Sequence, residues 1–112
     1  MAKIILFEHD NYDGQALVIV QDTERLDVYQ ADVGEDGNWD NVVSSIIVIS
    51  GEWTLYRDAR FEGTRWFATA GGGPEKDGCY PSAQYWLSAF DGRPGENDQV
   101  SSLKIGLDTY QR

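Results

Sequence analysis

The chain is predicted to be all-β. Its apolar residues fall in short runs, ALVIV, SSIIVI, WTLY, RWFAT and SLKIGL, each bounded by Gly, Asp or Asn, a pattern of strands and turns rather than of long amphipathic helices. Two sequence markers each occur twice, in the same order, so the fold is expected to be a duplicated unit. With 112 residues, 41% of them hydrophobic and 12% aromatic, there is material for one core and not for two. Only DTERLDVYQADV and PSAQYWLSAF depart from strand spacing, and each predicts a single helical turn.

The first marker is FEHDNYDG, Phe7 to Gly14, which recurs 49 residues later as YRDARFEG, Tyr56 to Gly63. Both read aromatic, four residues, aromatic, one residue, glycine. Gly14 and Gly63 end tight connections that call for positive φ, a conformation that costs any residue with a Cβ. Phe7 with Tyr12, and Tyr56 with Phe61, are expected to pack ring against ring over the folded hairpin, worth about 1 kcal/mol beyond area burial.

The second marker is DNVVSS, Asp40 to Ser45, repeated 57 residues later as NDQVSS, Asn97 to Ser102. The longer offset means that the second half carries extra residues, placed in or near GGGPEKDGCYP, Gly71 to Pro81. Its glycines and prolines predict an irregular loop that includes Cys79.

Lys and Arg total 9 against 19 Asp and Glu, a formal charge of -10. Such a field repels phosphate backbones and anionic lipid, so nucleic acid is not an expected partner, while cations are. Solubility alone commonly accounts for this balance. A lone Cys79 excludes an intrachain disulfide and a cysteine-based metal or redox motif. The apolar run in MAKIILFEHD is too short for a signal peptide, and no later stretch approaches a membrane span. The reading is a soluble chain, with cytoplasmic and secreted locations both open. With His9 the single histidine, nucleophile and base combinations are few, and catalysis ranks below binding.

Taken together, the aromatic-x4-aromatic-x-Gly copies, the paired DNVVSS and NDQVSS, and SSIIVISGEW between them resemble the βγ-crystallin superfamily, specifically its microbial calcium-binding type. The resemblance spans Lys3 to about Leu107. It implies one domain over 1–112, made of two Greek key motifs at about 3–50 and 51–108, packed as a sandwich of two four-stranded antiparallel sheets. The segments Ile19 to Asp36 and Thr69 to Glu96 are longer than the family usually shows.

The resemblance further implies two Ca2+ sites built by exchange between the motifs. One would join Ser44 Oγ to the side chains of Asn97 and Asp98, the carbonyl of Gln99 and that of Glu8. The other would join Ser101 Oγ to Asp40 or Asn41, the carbonyl of Val42 and that of Arg57. Calcium takes six to eight oxygens, and these residue types supply carboxylate, amide, hydroxyl and carbonyl oxygen; zinc and copper would lack their nitrogen and sulfur donors. With about one carboxylate per site, affinities of about 10⁻⁶ to 10⁻⁴ M are expected. Arg57 stands where the family often has an acid, so its cation would oppose the second ion. Glu35, Asp36 and Asn38 add polarity to the first mouth, and Asp91 and Glu96 to the second.

Two further expectations concern surfaces. In the second copy Lys104 and Gly106 lie opposite the apolar face, whereas in the first copy the equivalent outer positions are Ile47 and Ile49, which predicts cover by a long insertion or by a second subunit. The alternative function is a calcium-dependent carbohydrate or cell-surface binding module, in which some of Trp39, Trp66, Tyr80, Tyr85 and Trp86 would stack on a glycan.

Overall fold

The computed structural model describes residues 1–88 and 95–109, and Asp91 lies outside them. Eight strands are assigned: β1 Lys3–His9, β2 Asp13–Ile19, β3 Ser45–Ser50, β4 Glu52–Asp58, β5 Glu62–Thr69, β6 Cys79–Tyr80, β7 Leu87–Ser88 and β8 Ser102–Ile105. The two stretches with helix-like spacing each contribute one 3₁₀ turn, Leu26–Val28 and Ala83–Tyr85. Neither extends into a longer helix among the described residues, because neither has enough consecutive helical positions to offset a helix nucleus. Among the described residues no helix is long and apolar enough to cross a membrane.

All strand pairs are antiparallel, in two sheets ordered β2-β1-β3-β6 and β7-β5-β4-β8. The inner faces follow the period of two. Ile4, Leu6, Ile46 and Val48 point in from the first sheet, and Trp53, Leu55, Trp66, Ala68 and Leu103 from the second. Leu26, Val33, Trp39, Val43, Trp86 and Val100, supplied by connections rather than strands, complete the same cluster.

Two full four-stranded sheets are not what forms. The second sheet has three full strands, β5, β4 and β8, with β7 only a two-residue edge. On the outer edge of the first sheet, β6 pairs Tyr80 with Ile46 and Cys79 with Ile47, so part of the expected Gly-rich loop is a short strand. The equivalent place beside β8 is held by an isolated bridge, Thr23 to Leu103. Its two backbone hydrogen bonds are 2.8 and 3.0 Å, and one more, from Leu26 N–H to the Ser101 carbonyl at 2.9 Å, follows without forming a regular strand. The physical reason is local: QDTER has no apolar alternation to bury, and the next donor of the ladder, Ile105 N–H, is taken by the Asp22 side chain at 2.8 Å. At the opposite edge, β7 adds only two residues, pairing Leu87 with Phe67 and Ser88 with Trp66.

The two hairpins, β1–β2 and β4–β5, are folded by the same device. Asn11 and Tyr12 lie at φ 59° and 62°, Arg60 and Phe61 at 61° and 60°, and the following Gly14 and Gly63 at 80° and 81°. Side chains rarely tolerate that region, so each bend needs an anchor. The rings of Phe7 and Tyr12 meet edge to face at 5.6 Å, as do those of Tyr56 and Phe61. The second serine of each polar marker adds the other anchor. Ser45 Oγ donates to the His9 carbonyl at 2.6 Å and accepts from Tyr12 N–H at 3.0 Å. Ser102 Oγ repeats this with the Asp58 carbonyl at 2.6 Å and Phe61 N–H at 3.1 Å. Ser45→Ala or Ser102→Ala therefore leaves a donor and an acceptor unpaired beside a strained bend, and each is expected to cost about 1–3 kcal/mol in urea denaturation.

The outer faces of the sheets differ. On the second sheet the chain from Gly106 to Asp108 folds back. Thr54 Oγ1 donates to the Gly106 carbonyl at 2.7 Å, Tyr56 Oη donates to Asp108 at 2.6 Å, and Arg65 pairs with Asp108 at 2.8 Å. On the first sheet Val18, Ile5 and Ile47 instead lie side by side across β2, β1 and β3. Ile47 is half-buried, while Ile49 is 52% exposed.

Candidate functional site

The two polar markers arrive side by side because the segments before β3 and β8 are hydrogen-bonded to each other. Asn41 N–H donates to the Val100 carbonyl at 3.1 Å, and Asp98 N–H donates to the Val43 carbonyl at 3.3 Å. Each marker is also tied to its own hairpin, Ser44 N–H to the Phe7 carbonyl at 3.0 Å and Ser101 N–H to the Tyr56 carbonyl at 2.9 Å. The turns themselves come from the second residue of each marker, Asn41 at φ 58° and Asp98 at φ 59°. Asn and Asp are the residues with a Cβ that accept that region most readily.

The first serines then reach across the pair. Ser44 Oγ donates to Asp98 Oδ1 at 3.1 Å, and Ser101 Oγ donates to Asn41 Oδ1 at 3.2 Å. Ser44 Oγ is also 3.2 Å from the Val42 carbonyl. Both serines are buried, so these hydroxyls are held in fixed directions. Of the adjacent serines in each marker, one faces the cleft and the other locks the hairpin.

Each exchange opens onto a cleft. The Ser44 cleft, about 580 Å³, includes Glu8, Asn97 and Asp98. Glu35 and Asp36 line it as well, along with His9 and Asp10. The Ser101 cleft, about 690 Å³, includes Asn41, Arg57 and Gln99. Asp40 borders both. Val42 lines the Ser44 cleft and Gln99 the Ser101 cleft. Asn38 is spent on structure, its Oδ1 accepting Asp40 N–H at 2.9 Å. Glu96 is exposed and borders neither cleft.

Glu8 has its side chain engaged with the surrounding loops, accepting Gln15 N–H at 3.2 Å and Gly34 N–H at 3.4 Å. Desolvation raises the Asp98 carboxyl above the ordinary Asp range, with the Ser44 hydrogen bond opposing it and the nearby Asp10 charge adding to it. A raised acid favours the fold when protonated. Its contribution to stability is thus full below the ordinary Asp pKa and is lost as pH rises through the raised value. A cation beside Asp98 would favour its carboxylate form and offset the desolvation.

Sequence reasoning did not find His9, Asp10, Asp58, Arg60 or Glu62 as cleft residues, although they lie inside the aromatic markers and the 49-residue repeat pointed to their neighbours. Arg25 and Asp27, paired at 2.6 Å, come from the long connection after β2 and carried no signal. Among the described residues no three His, Cys, Asp or Glu converge as a metal-holding group. A cation here would therefore depend on hydroxyl, amide and carbonyl oxygens around single carboxylates.

The Beta/Gamma crystallin family matches residues 3–105 of the chain. The chain belongs to the βγ-crystallin family. Proteins of this family are structural and non-catalytic, and that is the class in which this βγ-crystallin stands. It is 32% identical over 104 residues to a Beta/gamma-crystallin of Ciona intestinalis, covering 93% of this chain and 98% of the relative. A solved βγ-crystallin structure from Ciona intestinalis superposes with a TM-score of 0.70 at 32% identity, over 93% of this chain and 99% of that one. A βγ-crystallin from an archaeon superposes with a TM-score of 0.64 at 25% identity, over 94% of this chain and 98% of the other.

Proposed function

We propose that this βγ-crystallin is a calcium-binding domain of the microbial type, built from Greek keys at about 3–50 and 51–108, whose stability is set by Ca2+ at both clefts. The observation that carries the reading is the reciprocal exchange, Ser44 Oγ to Asp98 and Ser101 Oγ to Asn41, with each hydroxyl buried and aimed at an oxygen of the other marker. At the first cleft the ion would be held from Ser44, Asp98, Asn97, Val42 and Glu8; at the second from Ser101, Asn41, Asp40, Gln99 and Arg57, the last through its carbonyl. The donor set fits a hard cation. Every offered ligand atom is oxygen, neutral oxygens outnumber carboxylates, and calcium accepts such mixed cages more readily than magnesium does. When bound, the ion supplies charge neutralisation to Asp98 and a bridge between the two halves.

The glycan-binding alternative has little support. Trp39, Trp66, Trp86 and Tyr80 are all buried in the core, which leaves Tyr85, 39% exposed, as the one stacking candidate of the five at the surface.

Calorimetric titration of chelator-treated protein tests the proposal. Calcium is expected to bind with a stoichiometry near two and affinities of about 10⁻⁶ to 10⁻⁴ M, with magnesium far weaker. At a hundredfold excess over Kd, linkage contributes about 2.7 kcal/mol per site, a rise of about 10 °C in melting temperature. An unchanged melting curve in millimolar calcium, with no binding heat, would end the reading.

A further inference from the structure

The two clefts are not electrostatically equivalent, and Arg57 adds one cation without an ion pair among the described residues to the difference. The Ser44 cleft is lined by six carboxylates and by no Lys or Arg, whereas the Ser101 cleft sets three guanidiniums against four carboxylates. Two of those arginines are already engaged, Arg25 with Asp27 at 2.6 Å and Arg60 with Glu24 at 3.8 Å. Arg57 has no ion-pair partner among the described residues and is exposed at the rim. It occupies, at the 49-residue offset of the hairpin repeat, the place that Glu8 holds beside the Ser44 cleft.

We propose that Arg57 widens an affinity difference between the clefts: as a tethered cation beside the Ser101–Asn41 exchange, it weakens this site further, so that calcium fills the Ser44 cleft first and the Ser101 cleft only at higher concentration. The inference rests on the calcium reading above and adds an order of filling to it. The mechanism is Coulombic. A unit positive charge several ångströms from a divalent ion weakens binding about five- to tenfold in a water-like dielectric, and replacing it by a negative charge reverses the sign and roughly squares the change. The difference should shrink with added salt, because Arg57 is exposed and the screening length falls to about 8 Å at physiological ionic strength.

The test is calcium titration calorimetry on the full chain and on Arg57→Ala and Arg57→Glu, with melting curves in chelator to show that each variant folds. The parent is expected to bind in two resolved steps. Ser44→Arg should remove the tighter step and Ser101→Arg the weaker. Arg57→Ala tightens the weaker step about five- to tenfold and Arg57→Glu by more, while the tighter step stays within about twofold. Two equal steps in the parent, or a weaker step that Arg57→Glu leaves unchanged, would overturn the inference while leaving calcium binding intact. Absence of binding in the parent and all variants would instead overturn the calcium reading, and this inference with it.

Discussion

A Ser44→Arg, Ser101→Arg double variant is expected to lose the entire calcium-induced rise in melting temperature, about 20 °C when both sites of the parent are saturated at a hundredfold excess over Kd. Ser44 is 4% exposed and its hydroxyl lies 3.1 Å from Asp98 Oδ1, so a guanidinium grown from that position meets the carboxylate that the ion would use. Ser101 stands in the same relation to Asn41 at 3.2 Å. Arginine thus removes a ligand and installs a competing charge in one change. The paired alanine variants remove only the hydroxyls and keep the volume small. They are expected to weaken each site about tenfold, roughly the worth of one lost polar contact. Thermal melts with and without chelator read both. A double arginine variant that still gains its full increment from calcium would show that the crossing of the two markers does not bind the ion.

Trp39→Ala is expected to cost about 3–5 kcal/mol, a large share of the stability of a domain this size, and to weaken calcium binding as well. Trp39 is 2% exposed and belongs to the core cluster, although it lies outside every strand. Its backbone N–H donates to the Tyr29 carbonyl at 3.1 Å, which ties the long first connection to the residue immediately before Asp40. Removing the indole opens a cavity beneath the segment that must hold Asp40 and Asn41 at their clefts. Urea unfolding reads the first effect and calcium titration the second. Trp39→Phe, which keeps part of the volume, should recover some of both. A Trp39→Ala chain with parental stability would mean that the connection is anchored elsewhere.

Several features were legible from residue order because they depend on contacts close along the chain. Strand identity followed from short alternating runs, and the bends at Tyr12 and Phe61 followed from a glycine two places on and an aromatic five places back. The serine doublets were legible as a motif but not as a division of labour. Only the pairing of β3 with β1 and of β8 with β4 shows Ser45 and Ser102 fastening hairpins while Ser44 and Ser101 face clefts.

What residue order determined by itself was the duplication, the β class and the presence of two oxygen-rich corners, since turn chemistry, side-chain period and donor type are properties of short segments. Tertiary structure decided the rest. Asp22 takes the hydrogen bond of Ile105 and halts the crossing strand at Thr23, and Arg25 with Asp27 arrives at a cleft more than 70 residues away from Ser101. These outcomes depend on which distant groups compete for the same donor or the same space, and that competition exists only once the chain has closed on itself.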